Sequence, residues 1–436
     1  MLDTLLLTAV YAGPFAIIFV FYIWNRRRSS ARAAAVRQEA EDAGLTEPAS
    51  LHPDIDLSLC CGAGACVRAC PEKTVIGIVN GKAKLIDPTA CIGHGACAAS
   101  CPTNAITLVF GTATRGVELP EVRPNFETNV PGLFIAGELG GMGLIRNAIE
   151  QGRQAMDSVA EHLSGPADPE SLDVLIVGAG PAGFSASLRA KEKGLKFRTI
   201  EQDSFGGTVA HFPRGKLVMT QPADLPLYGK VKFSEVAKED LLQFWTDVKK
   251  ETGLEIDYGQ RLLSLEARAG GFLAHTDGGD YRARAVLLAI GRRGTPRTLG
   301  IPGEELPHVV YRMIDPAQYH GSRVIVVGGG DSALEAAATL TEETDARVIL
   351  AYRGESFPRA RKKNRDRVDS AAETGRLKVM MKTNLTRIEA GNATLDMDGN
   401  IVRTPCDNVI ICAGGVLPTK LLQDIGIRTV TKYGEV

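Results

Sequence analysis

The sequence predicts an α/β protein. It has two β-turn-α-β units built around glycine loops, a small cysteine-rich α+β domain ahead of them, and one apolar helix at the N-terminus. Three observations carry this. Asp173-Val174-Leu175-Ile176-Val177 is an apolar run that enters Gly178-Ala179-Gly180-Pro181-Ala182-Gly183. Arg323-Val324-Ile325-Val326-Val327 does the same into Gly328-Gly329-Gly330-Asp331-Ser332-Ala333. Six of the nine cysteines take matching places in two copies of one pattern between Cys60 and Cys101.

Residues 5–24 carry no charge, and about twenty apolar residues span a bilayer core as a helix. Tyr22 and Trp24 suit an interface, and Arg26-Arg27-Arg28 follow at once. The positive-inside rule then puts the N-terminus outside and the remainder in the cytoplasm. No basic stretch precedes the run, so residues 1–25 are expected to be an uncleaved single-pass transmembrane anchor rather than a signal peptide. Residues 26–50, rich in Ala, Glu and Arg, are expected to form a juxtamembrane helix or linker. The formal net charge of −1 over 436 residues gives no bulk attraction to nucleic acid. The length suits about three domains.

The first cysteine copy reads Cys60-Cys61-Gly62-Ala63-Gly64-Ala65-Cys66-Val67-Arg68-Ala69-Cys70-Pro71. The second reads Cys91-Ile92-Gly93-His94-Gly95-Ala96-Cys97-Ala98-Ala99-Ser100-Cys101-Pro102. Paired zinc spacings do not produce this doubled Cys-Pro pattern. It resembles the two-cluster bacterial ferredoxins, whose last cysteine ligates the other cluster. The resemblance implies a dicluster ferredoxin domain over residues 51–112 that carries electrons singly. Crossed ligation assigns Cys60, Cys66 and Cys101 to one cluster, and Cys91, His94, Cys97 and Cys70 to the other. The pattern's second cysteine is Ala63 in one copy and His94 in the other. The Ala63 site is open to a three-iron cluster, to recruitment of Cys61, or to a non-protein ligand. Both 4Fe–4S and 3Fe–4S clusters fit this reading. An imidazole ligand raises the potential.

The first glycine loop is followed by an amphipathic stretch and by Phe197-Arg198-Thr199-Ile200-Glu201. A G-x-G-x-x-G loop between strand and helix lets a pyrophosphate approach the helix N-terminus, and an acid about twenty residues on holds a ribose. Glu201 fits that acid. After the second loop, Arg347-Val348-Ile349-Leu350-Ala351 ends in Tyr352-Arg353, with Arg359 and Arg361 beyond. Arginine in place of an acid accommodates a 2′-phosphate, so NADP(H) is favoured over NAD(H), with Arg353 and Arg359 as its readers.

Two such Rossmann-like units, closed by Ala289-Ile290-Gly291 and by Ala413-Gly414-Gly415, resemble the two-dinucleotide-binding flavoproteins, with the thioredoxin-reductase-like branch nearest. The resemblance implies FAD on Gly178, Gly180, Gly183, Glu201, Gly207, Thr208 and Gly291. It implies a nicotinamide dinucleotide on Gly328, Gly330 and Ala333. A homodimer is also implied. That family ends on a flavin-contacting segment, T-x-x-P-G-L-F-A-A-G-D. Here the matching Thr128-Asn129-Val130-Pro131-Gly132-Leu133-Phe134-Ile135-Ala136-Gly137-Glu138 precedes the first unit. A circular permutation is therefore expected, adding Gly137, Glu138 and Ile145 to the FAD contacts. Residues 113–165 would be the displaced part of the FAD domain, 170–300 its Rossmann part, 301–414 the nicotinamide domain, and 415–436 the return to the FAD domain. The same order would bring a cluster near the flavin.

No Cys-x-x-Cys stands in residues 308–321 or 205–208, where the family's disulfide reductases carry one. His211 and Arg214 read as structural or surface residues. The expected protein is a membrane-anchored NAD(P)H-dependent iron–sulfur flavoprotein. Its electrons would run between nicotinamide, FAD and clusters, in either direction, to a redox partner protein or a membrane quinone or cytochrome. A substrate-reducing flavoenzyme and a non-catalytic redox-sensing subunit are the alternatives. No side chain is singled out as catalytic, because the chemistry would sit at the flavin.

Overall fold

A computed structural model describes every residue except 1, 43, 44, 49, 50, 92, 114, 115, 142, 164–168, 213, 220–222, 232–235, 293–295, 359, 416, 417, 435 and 436, and leaves the side chains of 2–10, 12, 217 and 219 undescribed. The chain divides into two compact units, Met1–Thr112 with Gly434–Val436, and Ala113–Tyr433.

The first unit begins with a single helix, Leu2–Asp42, which contains Pro14. The single-pass membrane arrangement expected from residues 5–24 is overturned here. Among the described residues no helix is long and apolar enough to cross a membrane. The helix also continues unbroken into the expected linker, as far as Asp42. There, Ala33 packs on Val79 and Ile86, and the backbone N–H of Asn80 donates to the Ser30 hydroxyl at 3.1 Å. Gly77 lets the helix settle onto the hairpin, since a Cβ there would lie 2.7 Å from that of Ala33.

Two antiparallel ribbons complete this unit. His52–Ile55 pairs with Ile106–Val109, and Ile76–Val79 pairs with Lys82–Leu85. The second ribbon turns at Asn80-Gly81, both at positive φ, as the tight hairpin turn that suits right-handed strand twist requires. Two short helices, Ala65–Ala69 and Ala96–Ala99, carry Cys66 and Cys97.

The second unit holds both glycine loops. Its first sheet runs Asp257–Tyr258, Phe197–Glu201, Leu172–Val177, Gly279–Leu288, Gly271–Thr276 and Leu262–Arg268, with Leu133–Ile135 also paired to Gly279–Leu288. Alternation along Leu172–Val177 divides the core. Val174 and Ile176 join Met156, Val159 and Ala186 of the helices on one side. Leu175 and Val177 join Leu265, Phe272 and Leu422 on the other. Helices Ile145–His162 and Pro181–Glu192 touch backbone to backbone, for a Cβ on Gly152 would lie 2.0 Å from the Ala182 carbonyl oxygen.

Leu133–Ile135 lies parallel to Val286, Leu287 and Leu288, although it precedes the first glycine loop in the chain. Thr429–Lys432 pairs antiparallel with Val117–Pro120. The Asn129 side chain ties the same two segments, donating to the Gly426 carbonyl at 2.8 Å and accepting from the Arg428 N–H at 2.9 Å.

The second sheet is wholly parallel, in the order Val309–Val310, Asn408–Ile411, Arg323–Val327, Arg347–Ala351, Leu377–Met380. Helices Asp331–Glu343 and Lys362–Glu373 cover one face through Leu334, Ala337, Leu340 and Val368. A three-stranded antiparallel sheet of residues 383–405 covers the other through Leu385, Ile388 and Leu395. Lys216 Nζ meets Glu335 Oε2 at 2.8 Å, linking the two halves of the unit.

Arg323 and Asp407 clamp the starts of two adjacent strands. The guanidinium reaches the carboxylate at 2.6 and 3.0 Å, and the Arg323 N–H adds a bond at 2.8 Å. The Arg323 side chain, then its backbone N–H, holds the Asp407 carboxyl at about 2. A carboxyl whose folded pKa is depressed stabilises above its unfolded value and loses that contribution as pH falls through the folded one. Asp407→Asn is expected to lower stability modestly at pH 7, because both side chains are more than a third exposed and screened. The difference from wild type should vanish between about pH 4 and pH 2; denaturant melts across that range would show it, and a pH-independent difference would refute the assignment.

Candidate functional site: two cysteine cavities and two glycine loops

The two cysteine copies fold alike. Each loop has glycines at positive φ in its third and fifth places, Gly62 and Gly64 at +69° and +68°, Gly93 and Gly95 at +78° and +74°. Each then starts a short helix bearing the copy's next cysteine. Gly62 is pressed onto the hairpin turn, where a Cβ would sit 2.0 Å from the Gly81 carbonyl oxygen.

Two cavities result. One is lined by Cys70, Cys91, His94 and Cys97, with Pro53, Val75 and Leu108 around them. The other is lined by Cys60, Cys61, Cys66 and Cys101. Cys91 and Cys97 thus share a cavity with Cys70 of the other copy, and Cys60 and Cys66 share one with Cys101. All nine cysteines are thiols. Among the described residues no three His, Cys, Asp or Glu side chains converge closely enough to hold a single metal ion. The cysteines of each set line one shared space, which suits a cluster of several irons. The Ala83 N–H donates to Cys60 Sγ at 3.4 Å and the Ala105 N–H to Cys101 Sγ at 3.3 Å, the kind of bond that tunes a cluster's potential.

Burial pushes the thiols of Cys66, Cys70 and Cys91 up and takes Cys97 to about 11. Cys101, which accepts bonds first from the Thr103 backbone, is shifted down. Metal ligation needs thiolates, so loading these cavities releases protons.

At the first glycine loop, Gly178 has φ +104°, and a Cβ there would lie 2.6 Å from the Ala289 carbonyl oxygen. A Cβ on Gly183 would lie 1.8 Å from the Gly178 carbonyl oxygen. These contacts seat the N-terminus of helix Pro181–Glu192 against the strand ends. No side chain caps that terminus at Gly180, so its N–H groups and positive dipole end suit an anion. Gly207 closes on Gly180, its Cβ position being 3.1 Å from Gly180 Cα. Thr208 follows it in a short helical turn. The buried Glu201 carboxylate accepts from the N–H of Ala179 at 2.7 Å and of Asp203 at 3.0 Å. Those bonds fix its direction and leave oxygen lone pairs for a further donor.

Gly137, at φ +83°, sits beside this loop, its Cβ position 3.0 Å from that of Ala182, and its N–H donates to Gln151 Oε1 at 2.8 Å. Glu138 starts the next turn and is half-buried, and Ile145 opens helix Ile145–His162 with no side-chain cap. Gly291, at φ +67°, follows strand Gly279–Leu288. His211 pairs with Asp203 at 2.8 Å and Arg214 is exposed, as structural or surface residues would be.

At the second loop, a Cβ on Gly328 would lie 2.5 Å from the Cys412 carbonyl oxygen. Gly330 faces open space at the uncapped start of helix Asp331–Glu343, and Ala333 is buried beneath it. Arg353 is exposed just past strand Arg347–Ala351. Arg359 lies outside the described residues. Sequence reasoning missed Tyr352, whose ring covers Gly329 and Gly354 and stacks on Phe357 at 5.5 Å. It also missed the pairing of Arg361 with Asp331 at 3.5 Å. The aromatic directly after the strand was the available signal for the first.

Gly62→Ala would force a Cβ onto the hairpin turn at an unfavourable φ and open the Cys60–Cys66 loop, leaving the other cavity intact. Iron bound per chain after reconstitution is expected to fall by about half; an unchanged iron content would show that this glycine contact does not shape the cavity.

Comparison with known proteins agrees with this layout. Residues 175–434 match the pyridine nucleotide-disulphide oxidoreductase family, and residues 52–102 match the 4Fe–4S dicluster domain. A ferredoxin–NADP reductase of Ignicoccus hospitalis is 32% identical over 186 residues, which is 42% of this chain and 57% of that protein. One of Thermus thermophilus is 34% identical over 225 residues, 50% of this chain and 64% of that protein. The chain therefore spans less than two thirds of the length of these relatives. In fold it is similar to the bacillithiol disulfide reductase Bdr of Staphylococcus aureus, with a TM-score of 0.52 at 22% identity over 61% of this chain and 85% of that one. With a matched region that takes in both glycine loops and more than half of its length, the chain belongs to the pyridine nucleotide-disulphide oxidoreductase family.

Proposed function

We propose that this protein is an FAD-dependent NAD(P)H oxidoreductase that exchanges electrons between a nicotinamide dinucleotide and a one-electron redox protein through iron–sulfur clusters. The observation that carries the proposal is the crossed convergence of the two cysteine copies on two cavities in a chain that also holds two dinucleotide loops. When bound, FAD would link the two-electron nicotinamide to one-electron clusters. The relatives named ferredoxin–NADP reductase support a redox protein as partner. A membrane quinone loses its motive with the anchor.

The residues have distinct parts in this reading. The helix terminus at Gly180 would hold the FAD pyrophosphate, and Glu201, held in direction by its two N–H donors, would take a ribose hydroxyl. Gly207 and Thr208 would close the loop over it. Gly291, Gly137, Glu138 and the uncapped helix start at Ile145 would line the remainder of the flavin. Gly328, Gly330 and Ala333 would seat the nicotinamide dinucleotide, and Arg353 with Arg359 would read a 2′-phosphate. Cys91, Cys97, Cys70 and His94 would ligate one cluster, and Cys60, Cys66 and Cys101 the other. The pairing of Leu133–Ile135 and Thr429–Lys432 with distant strands supports a circularly permuted FAD domain.

The reading is tested by anaerobic titration of the reconstituted full chain with NADPH and NADH, followed by visible absorption and EPR. NADPH is expected to bleach the flavin and raise reduced-cluster signals. Failure of both nucleotides to bleach it would sink the proposal, while bleaching with unreduced clusters would favour flow from the clusters to the nicotinamide. In Arg353→Ala the preference for NADPH over NADH should drop about tenfold, equivalent to ~1.4 kcal/mol; an unaltered preference would remove Arg353 from the 2′-phosphate site.

A further inference from the structure

In the cavity of Cys60, Cys66 and Cys101, the places of the repeated pattern supply three thiols, where a four-iron cluster takes four ligands. Its loop follows the same course as that of the other copy, with glycines at positive φ on either side of Ala63 and of His94. Ala63 therefore stands where the other cavity has an imidazole, and it offers only a methyl group. The side chains that complete the wall are equally poor in donors: Ala65, Ala83, Ala105, Ile106 and Pro102 are apolar. The Thr103 hydroxyl is engaged with Cys101 Sγ at 3.7 Å. Lys82 Nζ, on the neighbouring strand, is bonded to the Cys60 carbonyl at 2.7 Å. Cys61 lines the same cavity and is exposed.

We propose that Cys61 is the fourth ligand of this site, so that a four-iron cluster is held by Cys60, Cys61, Cys66 and Cys101. This rests on the iron–sulfur reading above. On binding, the Cys61 sulfur forms a bond to iron and the thiol proton passes to solvent, which its exposure allows; no electron is transferred. Neighbouring Cα atoms are ~3.8 Å apart, a span from which two side chains reach different irons of one cluster. The Gly62 contact with Gly81 holds the loop so that Cys61 stays at the rim.

The test is anaerobic reconstitution of the full chain, with iron and sulfide analysis and EPR of the oxidised state. Wild type is expected to hold about eight irons per chain without a three-iron signal. Cys61→Ala should lose about one iron and gain the signal of an oxidised three-iron cluster. Cys61→Ala combined with Ala63→Cys, which restores a thiol at the pattern's usual place, should recover the lost iron and abolish that signal. A larger loss in Cys61→Ala that Ala63→Cys repairs supports the same assignment; a loss that it does not repair overturns it. Unchanged iron and EPR in Cys61→Ala, or a three-iron signal already present in wild type, also overturns it while leaving the iron–sulfur reading standing. Wild type that binds no iron would end both.

Discussion

The pairing of Leu133–Ile135 with Val286, Leu287 and Leu288 organises the larger unit. It draws a segment that precedes the first glycine loop into the sheet that carries that loop. Once the strand is seated, Gly137 must lie beside Ala182, and helix Ile145–His162 must lie along helix Pro181–Glu192. The close approach is possible because Gly152 meets the Ala182 carbonyl with no side chain between them. The two ends of the unit then meet, since Thr429–Lys432 has its partner in Val117–Pro120. Chain order and spatial order differ here. Backbone pairing depends on register and not on sequence position, so a segment that precedes the first glycine loop takes a place in the sheet that carries it.

Glycine serves three separate ends in this molecule. At Gly178 and Gly183 it lets a helix start touch strand ends, so that the terminal N–H groups face outward for an anion. At Gly62 it lets a cysteine loop lie against a hairpin turn. At Gly330 it leaves room, for among the described residues beyond its own chain neighbours nothing lies within 4 Å of its Cβ position. The first two are contacts that a methyl group would break, and the third is space at an uncapped helix start.

The cysteine region shows how a repeated motif becomes two different sites. Both copies have glycines at positive φ in the same two places and a short helix after them. They differ in what fills the fourth place, an imidazole in one and a methyl in the other. That difference lies in single residues between glycines of like φ, and it gives the two cavities different linings.

Much of the fold and of the candidate site was legible in the residues themselves. Strands Leu172–Val177 and Arg323–Val327 stood out because buried parallel strands are apolar on both faces, and the loops after them because glycine is needed where backbones touch. The Cys-Pro copies were legible because ligand spacing is local. The N-terminal run misled, since lack of charge was visible but the continuation of the helix to Asp42 and its packing on the hairpin through Ala33 were not. The Tyr352 cover over Gly329 and the pairing of Arg361 with Asp331 were equally hidden, being contacts between elements distant in the chain. Local pattern by itself determined which segments are strands, turns and ligand loops, because propensity and spacing act over a few residues. Only the tertiary structure decided which cysteines share a cavity and which strand lies beside Val286, because those depend on long-range register that no local run encodes.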